Sequence, residues 1–250
     1  MSLVDATILF LAGYLSGIVN AMAGGGTFIT FGAMSLLGTP PILANATSSV
    51  TQFPGYITST LAYWTDIKLF WRGALLLCAI SAVGALVGSL ILLALDSASF
   101  KALVPWLLLA ATALFAVGPW LKPKPKISGE PKVGSLTGFI AQFFTAIYGG
   151  FFGAGMGVMM LATLGLTEGG DYHRINALKN MLAMVIASLA IVVFVAGGVV
   201  AWPEAIVMIP GGAIGGYSGV WIAKRVPQSV VRAFVIAVGL FLAVYYFVKP

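Results

Sequence analysis

Polar side chains cluster at the starts of two otherwise apolar segments of this 250-residue chain. They are Asn45, Ser48 and Gln52 in the first segment, and Asn176, Lys179 and Asn180 in the second. Asn45 and Ser48 are three residues apart, as are Asn176 and Lys179, so each pair shares one face of a helix. Amide, hydroxyl and ammonium groups donate hydrogen bonds, and the ammonium adds positive charge. The pattern indicates binding of a small anion.

Lys179 is the strongest candidate among these residues for a direct functional role. It follows Arg174 by five positions, which is roughly 7–8 Å deeper along a helix. Cations inside a membrane are costly and commonly functional, so Lys179 would offset the charge of an anion or carry a proton. The competing interpretation is that its long side chain reaches back to the cytoplasmic surface.

Glycine clusters precede two apolar segments, 27–37 and 155–166, that are too short to cross a bilayer alone. The glycines are Gly24, Gly25 and Gly26, followed by Thr27, in the first cluster and Gly153, Gly155 and Gly157 in the second. Glycine permits positive φ and close approach of a ligand to the backbone, and a helix N-terminus attracts anions. Tight helix crossing is the competing interpretation. The sequence leaves open whether each short segment re-enters or completes a crossing.

The composition of the whole chain identifies the elements that must hold these residues. Hydrophobic residues make up 60% and charged residues 8%, with a mean hydropathy of +1.04 and a net charge of +6. A soluble enzyme, a nucleic-acid-binding domain and a disordered protein are excluded, because too few charges remain to cover a soluble surface. The apolar runs are continuous, so we expect an all-α polytopic membrane protein. The predicted segments are 6–23, 27–37, 42–64, 72–95, 100–121, 133–152, 155–166, 174–196, 203–223 and 229–247.

An internal repeat emerges when the chain is shifted by 131 residues against itself. Gly24 then meets Gly155, and Asn45 meets Asn176. A Pro- and Lys-rich linker, 122–132, separates a first transmembrane repeat (1–121) from a second (133–250). Each half holds a long-plus-short helical hairpin followed by three transmembrane helices, so the halves should have opposite orientations. Such inverted repeats are typical of secondary transporters.

The basic residues orient the predicted segments. With the N-terminus and C-terminus outside, ten of the 13 Lys and Arg residues fall on the cytoplasmic side, including those of the linker. The residues before the first segment include Asp5 and no basic side chain, so this segment is expected to be a span rather than a cleaved signal peptide. We therefore expect a multi-pass protein of the cell (inner or plasma) membrane.

Four stretches resemble the TauE/SafE sulfite exporter family. They are 13–28 (GYLSGIVNAMAGGGTF), 40–49 (PPILANATSS), 150–157 (GFFGAGMG) and 174–180 (RINALKN). The resemblance covers nearly the whole chain and implies an integral membrane transporter for small anions, often sulfite or organosulfonates. One departure is that alternating glycines replace a Gly-Gly-Gly run in the second copy, which puts the substrate contacts of that half in doubt.

These patterns predict a secondary transporter that moves a small anion by alternating access, with an anion-selective channel as the alternative. We find no paired carboxylates, HExxH or Gly-x-Ser-x-Gly, and so do not expect an enzyme. One His and one Cys provide neither a metal site nor a cofactor site. The absence of a deep acidic residue to hold Na⁺ leaves proton coupling open, and a homodimer is also left open. The predicted substrate-binding residues are Asn20, Gly24, Gly25, Gly26, Thr27, Asn45, Ser48, Gln52, Gly153, Gly155, Gly157, Asn176, Lys179 and Asn180.

Overall fold

The computed structural model describes residues 1–117, 135–168, 172–222, 225 and 228–248. Within these residues the chain forms eleven helices and no strand, which confirms the all-α prediction. The helices are α1 (Leu3–Ala23), α2 (Thr27–Leu36), α3 (Pro41–Ala62), α4 (Trp64–Ile67), α5 (Trp71–Ala94), α6 (Ser97–Val117), α7 (Leu136–Phe151), α8 (Met156–Thr167), α9 (Tyr172–Ala196), α10 (Trp202–Ile222) and α11 (Gln228–Val248). The predicted linker, 122–132, lies outside the described residues.

Five of the described helices are long and apolar enough to cross a membrane. They are formed by Leu3–Ala21, Trp71–Ala94, Ser97–Val117, Arg174–Ala196 and Ser229–Val248. α3 has 22 residues, but its first turns carry the polar cluster. α7 has only 16 residues and is shorter than the predicted segment 133–152. The chain is a multi-pass membrane protein.

Helix bounds and packing partners recur between the halves. α6 and α11 both begin and end 131 residues apart, and α3 and α9 begin with the same offset. α1 packs against α10 while its counterpart α7 packs against α5, and α3 packs against α10 while α9 packs against α5. These regularities support the predicted repeat.

The counterpart helices α3 and α9 run antiparallel. Near the start of α3, the Thr47 hydroxyl accepts a hydrogen bond from the backbone N–H of Ala201, beyond the end of α9 (2.9 Å). Near the start of α9, the Asn176 amide donates to the hydroxyl of Tyr63, at the end of α3 (3.0 Å). Each helix start therefore lies beside the other helix's end.

α6 and α11 form a second antiparallel pair of counterparts. The ring centroids of Trp106 and Phe247 are 5.3 Å apart. Further along α6, Thr112 lies against Gly239, eight residues earlier in α11. Antiparallel counterparts are the arrangement that an inverted repeat requires, so both pairs support the predicted opposite orientation of the halves.

Basic residues gather at one end of the helix bundle. The guanidinium of Arg174, at the start of α9, lies 5.3 Å from the ring centroid of Phe70. Phe70 lies between Lys68 and Arg72, and the Lys68 ammonium is 5.7 Å from the Trp64 ring centroid. Cations with tryptophan are typical of a membrane–water interface. This end is the predicted cytoplasmic side.

Glycines four residues apart bring two helix pairs into close contact. A side chain at Gly88 of α5 would overlap the backbone carbonyl of Ile147 in α7. A side chain at Gly215 of α10 would likewise overlap the carbonyl of Tyr14 in α1. Close backbone approach through glycines of this kind is the small-xxx-small pattern of membrane helix pairs.

Candidate functional site

The ammonium of Lys179 is buried within the helix bundle. The residue is 1% exposed, and its Nζ makes no hydrogen bond with any described residue. Its side chain therefore does not reach the surface of the bundle. A buried charge without compensation is strongly unfavourable, so an anion at this position would stabilise the ammonium form of Lys179.

The neighbours of Lys179 form one polar face of α9, which comprises Asn176, Lys179 and Asn180. The Nδ2 atom of Asn180 is also buried and has no partner within the described part of the chain. Asn176 is held by its hydrogen bond to Tyr63. Since residues three and four apart share a helix face, an ammonium and an amide donor are available side by side. These groups suit an anionic oxygen.

The polar face of α3, formed by Asn45 and Ser48, lies beside the second helix break. Asn45 donates from Nδ2 to the backbone carbonyl of Phe151, the last residue of α7 (2.8 Å). Because a carbonyl oxygen only accepts, Nδ2 must face Phe151 and Oδ1 must point away. Asn45 Oδ1 and Ser48 Oγ are buried, and neither has a partner among the described residues.

The structure divides the predicted polar cluster between two places. Asn45 lies near the start of α3, whereas the partner of Asn176, Tyr63, follows the end of α3. Positions 45 and 63 are roughly 27 Å apart along that helix. The two polar faces thus lie toward opposite ends of the α3–α9 pair, and the α9 face alone carries a positive charge.

The first break, between α1 and α2, is tied to α3 by side chains. The Ser16 hydroxyl donates to the carbonyl of Gly26 (2.8 Å), and the Gln52 amide donates to the Ser16 hydroxyl. The Asn20 side chain of α1 lies close to the Tyr56 hydroxyl of α3. Gln52 and Asn20, both predicted to bind substrate, are thus engaged in holding α1 and the break against α3.

The second break, between α7 and α8, is held by a different residue. Tyr148 donates from its hydroxyl to the carbonyl of Ala154 (2.6 Å). Gly153 and Gly155 have φ of 74° and 78°, conformations that favour glycine. α8 begins at Met156, immediately after Gly155, and α2 begins at Thr27, immediately after the first cluster. α2 thus follows its glycine cluster as predicted, whereas α8 begins within the second cluster, because Gly157 lies in its first turn.

The glycines of the two breaks pack closely against their surroundings. A Cβ at Gly24 would lie 2.6 Å from the Cα of Gly157. A Cβ at Gly25 would meet the Phe115 ring at 2.7 Å, and one at Gly26 would overlap the backbone of Ser16. Close packing accounts for glycine at these positions. Their contact with a substrate remains a prediction, as it does for Thr27.

Other polar residues have structural partners or lie outside the site. The Gln142 amide donates to Ser81 of α5 (2.8 Å), which joins α7 to α5. The carboxylate-bearing residue Glu168 is buried at the end of α8, next to Gly138. The side chain of His173 is outside the part that the structure describes. Among the described residues, no three His, Cys, Asp or Glu side chains are grouped to hold a metal.

Comparison with known proteins identifies the family. The model of the sulfite exporter TauE/SafE family matches residues 9–246. The chain belongs to this family. The TauE/SafE match includes both helix breaks and both polar faces. The chain is therefore a membrane transporter, and the resemblance found in the four motifs is confirmed.

Curated relatives of this TauE/SafE chain carry the same general description. A "Probable membrane transporter protein" of Haemophilus influenzae is 26% identical and aligns over 94% of this chain and 91% of its own length. The "Probable membrane transporter protein ORF9" of Sinorhizobium is 25% identical and aligns over 97% of this chain and 92% of its own length. The "Probable membrane transporter protein YfcA" of Escherichia coli K12 is 23% identical and aligns over 93% of this chain and 86% of its own length. The similarity thus extends over nearly full length.

Proposed function

We propose that this TauE/SafE transporter moves a small anion, sulfite or an organosulfonate, across the cell membrane by alternating access. The observation that carries the proposal is the buried ammonium of Lys179, which has no polar partner in the described residues. A bound anion would neutralise this charge and accept hydrogen bonds from Lys179 and Asn180. An intramembrane ionisable residue marks a substrate or ion pathway by default.

Alternating access is supported by the relation between the halves. The counterparts α3 and α9 run antiparallel, and the two helix breaks meet through Gly24 and Gly157. Rocking of inverted repeats around a central site is the usual mechanism of transporters built in this way. In this scheme both termini are outside, and the end that carries Lys68, Arg72 and Arg174 is cytoplasmic.

Counterflow in proteoliposomes tests the proposed function. Vesicles that hold the purified protein and unlabelled sulfite should accumulate labelled sulfite from outside, with saturable kinetics. Organosulfonates should compete for this flux. Complete absence of saturable flux for sulfite and all tested sulfonates would contradict the proposal.

Electrical recording separates the carrier from the alternative, an anion-selective channel. A carrier should give saturable exchange without unitary currents in planar bilayers. Unitary anion currents from the same preparation would instead establish the channel. Repeating the flux with an imposed pH gradient tests whether protons are the coupling ion: stimulation by the gradient is expected, and insensitivity to it would exclude proton coupling.

A further inference from the structure

We infer that the α9 polar face accepts a single negative charge, so that the transporter selects monovalent anions over divalent ones. Singly charged sulfonates and hydrogensulfite belong to the selected class, and disulfonates and fully deprotonated sulfite to the rejected class. The inference rests on the proposed function and specifies the substrate of the same site.

The first reason to expect a preference for monovalent anions is the number of buried charged side chains. Among the buried side chains that the structure describes, Lys179 and Glu168 are the two with formal charge. Glu168 follows the last residue of α8, and it makes no hydrogen bond with Lys179 Nζ. The described interior therefore offers an anion one unpaired positive charge.

The internal repeat gives the second reason. Ser48 occupies the place in α3 that Lys179 occupies in α9, 131 residues later, and Ser49 matches Asn180. Ser48 is buried and unpartnered within the described residues, like its counterpart, but it carries a neutral hydroxyl. The α3 face lies toward the opposite end of the α3–α9 pair and carries no cation, so it supplies no second counter-charge to a ligand at the α9 face.

The energetic consequence follows from the burial of both partners. A monovalent anion and the Lys179 ammonium together carry no net charge, so the loaded site is neutral. A second negative charge would have to be buried without a cation, and such a charge is strongly disfavoured in a low-dielectric interior. We expect a discrimination of at least about tenfold, which corresponds to about 1.4 kcal/mol.

Competition with labelled sulfite counterflow tests the inference. Ethanesulfonate and butanesulfonate each carry one charge, and 1,2-ethanedisulfonate carries two on a carbon–sulfur backbone of intermediate length. The concentration that half-inhibits counterflow should be at least about tenfold lower for each monosulfonate than for the disulfonate. Equal or stronger inhibition by the disulfonate would overturn the inference while leaving the transport function intact. Absence of any sulfite flux would instead contradict the proposed function.

A variant with a second cation on the α9 polar face provides an independent test of the inference. Asn180→Lys places a lysine next to Lys179, where the Asn180 amide already lacks a partner among the described residues. The matched control is Leu69→Lys, at a residue that is 86% exposed. Asn180→Lys should narrow the preference for monosulfonates at least several-fold, and Leu69→Lys should leave it unchanged. An unchanged preference in folded Asn180→Lys would contradict the inference. If that variant does not fold, the wild-type competition series decides.

Discussion

Gly24 and Gly157 bring the two helix breaks of this transporter into direct backbone contact. A Cβ built on either residue would lie 2.6 Å from the Cα of the other. Gly24 ends α1 with φ of 80°, and Gly157 lies in the first turn of α8. The two halves therefore touch at their discontinuities.

Substitution at this contact should disturb both stability and transport. Gly157→Ala forces a methyl group against the Gly24 backbone, and overpacking of this kind costs about 1–3 kcal/mol. We expect a lower thermal unfolding temperature in detergent and reduced counterflow. Gly55→Ala is the matched control, because its Cβ would meet only a carbonyl oxygen at 3.7 Å. Equal stability of the two variants would show that the glycine contact is not tight.

The bond from Asn45 to Phe151 should stabilise the second break. Asn45→Ala removes the donor to the part-buried Phe151 carbonyl, and an acceptor left without a partner in this way costs up to about 1–3 kcal/mol. Thermal unfolding of the purified variant measures this loss. Ser49→Ala is the control, because the Ser49 hydroxyl bonds only within α3, to Asn45 O at 3.5 Å. A loss in Ser49→Ala as large as that in Asn45→Ala would argue against a specific role for the bond.

Removal of the Lys179 charge should stabilise the substrate-free protein and abolish its stabilisation by sulfite. Lys179→Met keeps the apolar stem but deletes the uncompensated ammonium, so the substrate-free protein should gain at least about 1 kcal/mol in free energy of unfolding. The same variant should lose the increase in unfolding temperature that sulfite produces in the wild type. A destabilised Lys179→Met protein that still responds to sulfite would contradict the assignment of Lys179 to the site.

Asp96 should make the start of α6 sensitive to acid. Its carboxylate accepts hydrogen bonds from the backbone and hydroxyl of Ser99, and these bonds lower its pKa from the usual 3.8. A lowered folded-state pKa means that the contribution is complete above pH 3.8 and is lost as the pH falls through the folded value.

Unfolding of the wild type and Asp96→Ala over a range of pH checks this expectation. The wild type should be more stable at neutral pH, and the difference should shrink in acid. Asp96→Asn retains a cap for the helix N-terminus, so its stability difference from Asp96→Ala should not depend on pH. If the difference in stability between wild type and Asp96→Ala persists in strong acid, the ionised carboxylate does not have this role.

Helices and breaks were predictable because their causes are local. Continuous apolar runs produced the long helices, and the short helices begin at Thr27, directly after the first glycine cluster, and at Met156, within the second. The short helix α4 was missed, since it is a single turn within a predicted break. Repeated spacing also indicated the counterpart pairs α3–α9 and α6–α11.

The division of the polar residues could not be predicted from spacing alone. Asn45 and Asn176 align in the repeat, but antiparallel helices place matching starts at opposite ends of the pair. Their partners, Phe151 and Tyr63, are 106 and 113 residues away in the chain. Ser16 was not predicted for the same reason, because its role depends on tertiary contact with Gly26.

The most direct test of the account compares sulfite counterflow in proteoliposomes for wild type, Lys179→Met and Lys68→Met. The two variants lose the same charge, but Lys179 is buried and Lys68 is exposed. The account predicts saturable flux in wild type and Lys68→Met, and loss of that flux in folded Lys179→Met. Undiminished flux in Lys179→Met would contradict the central claim that this buried ammonium binds the transported anion.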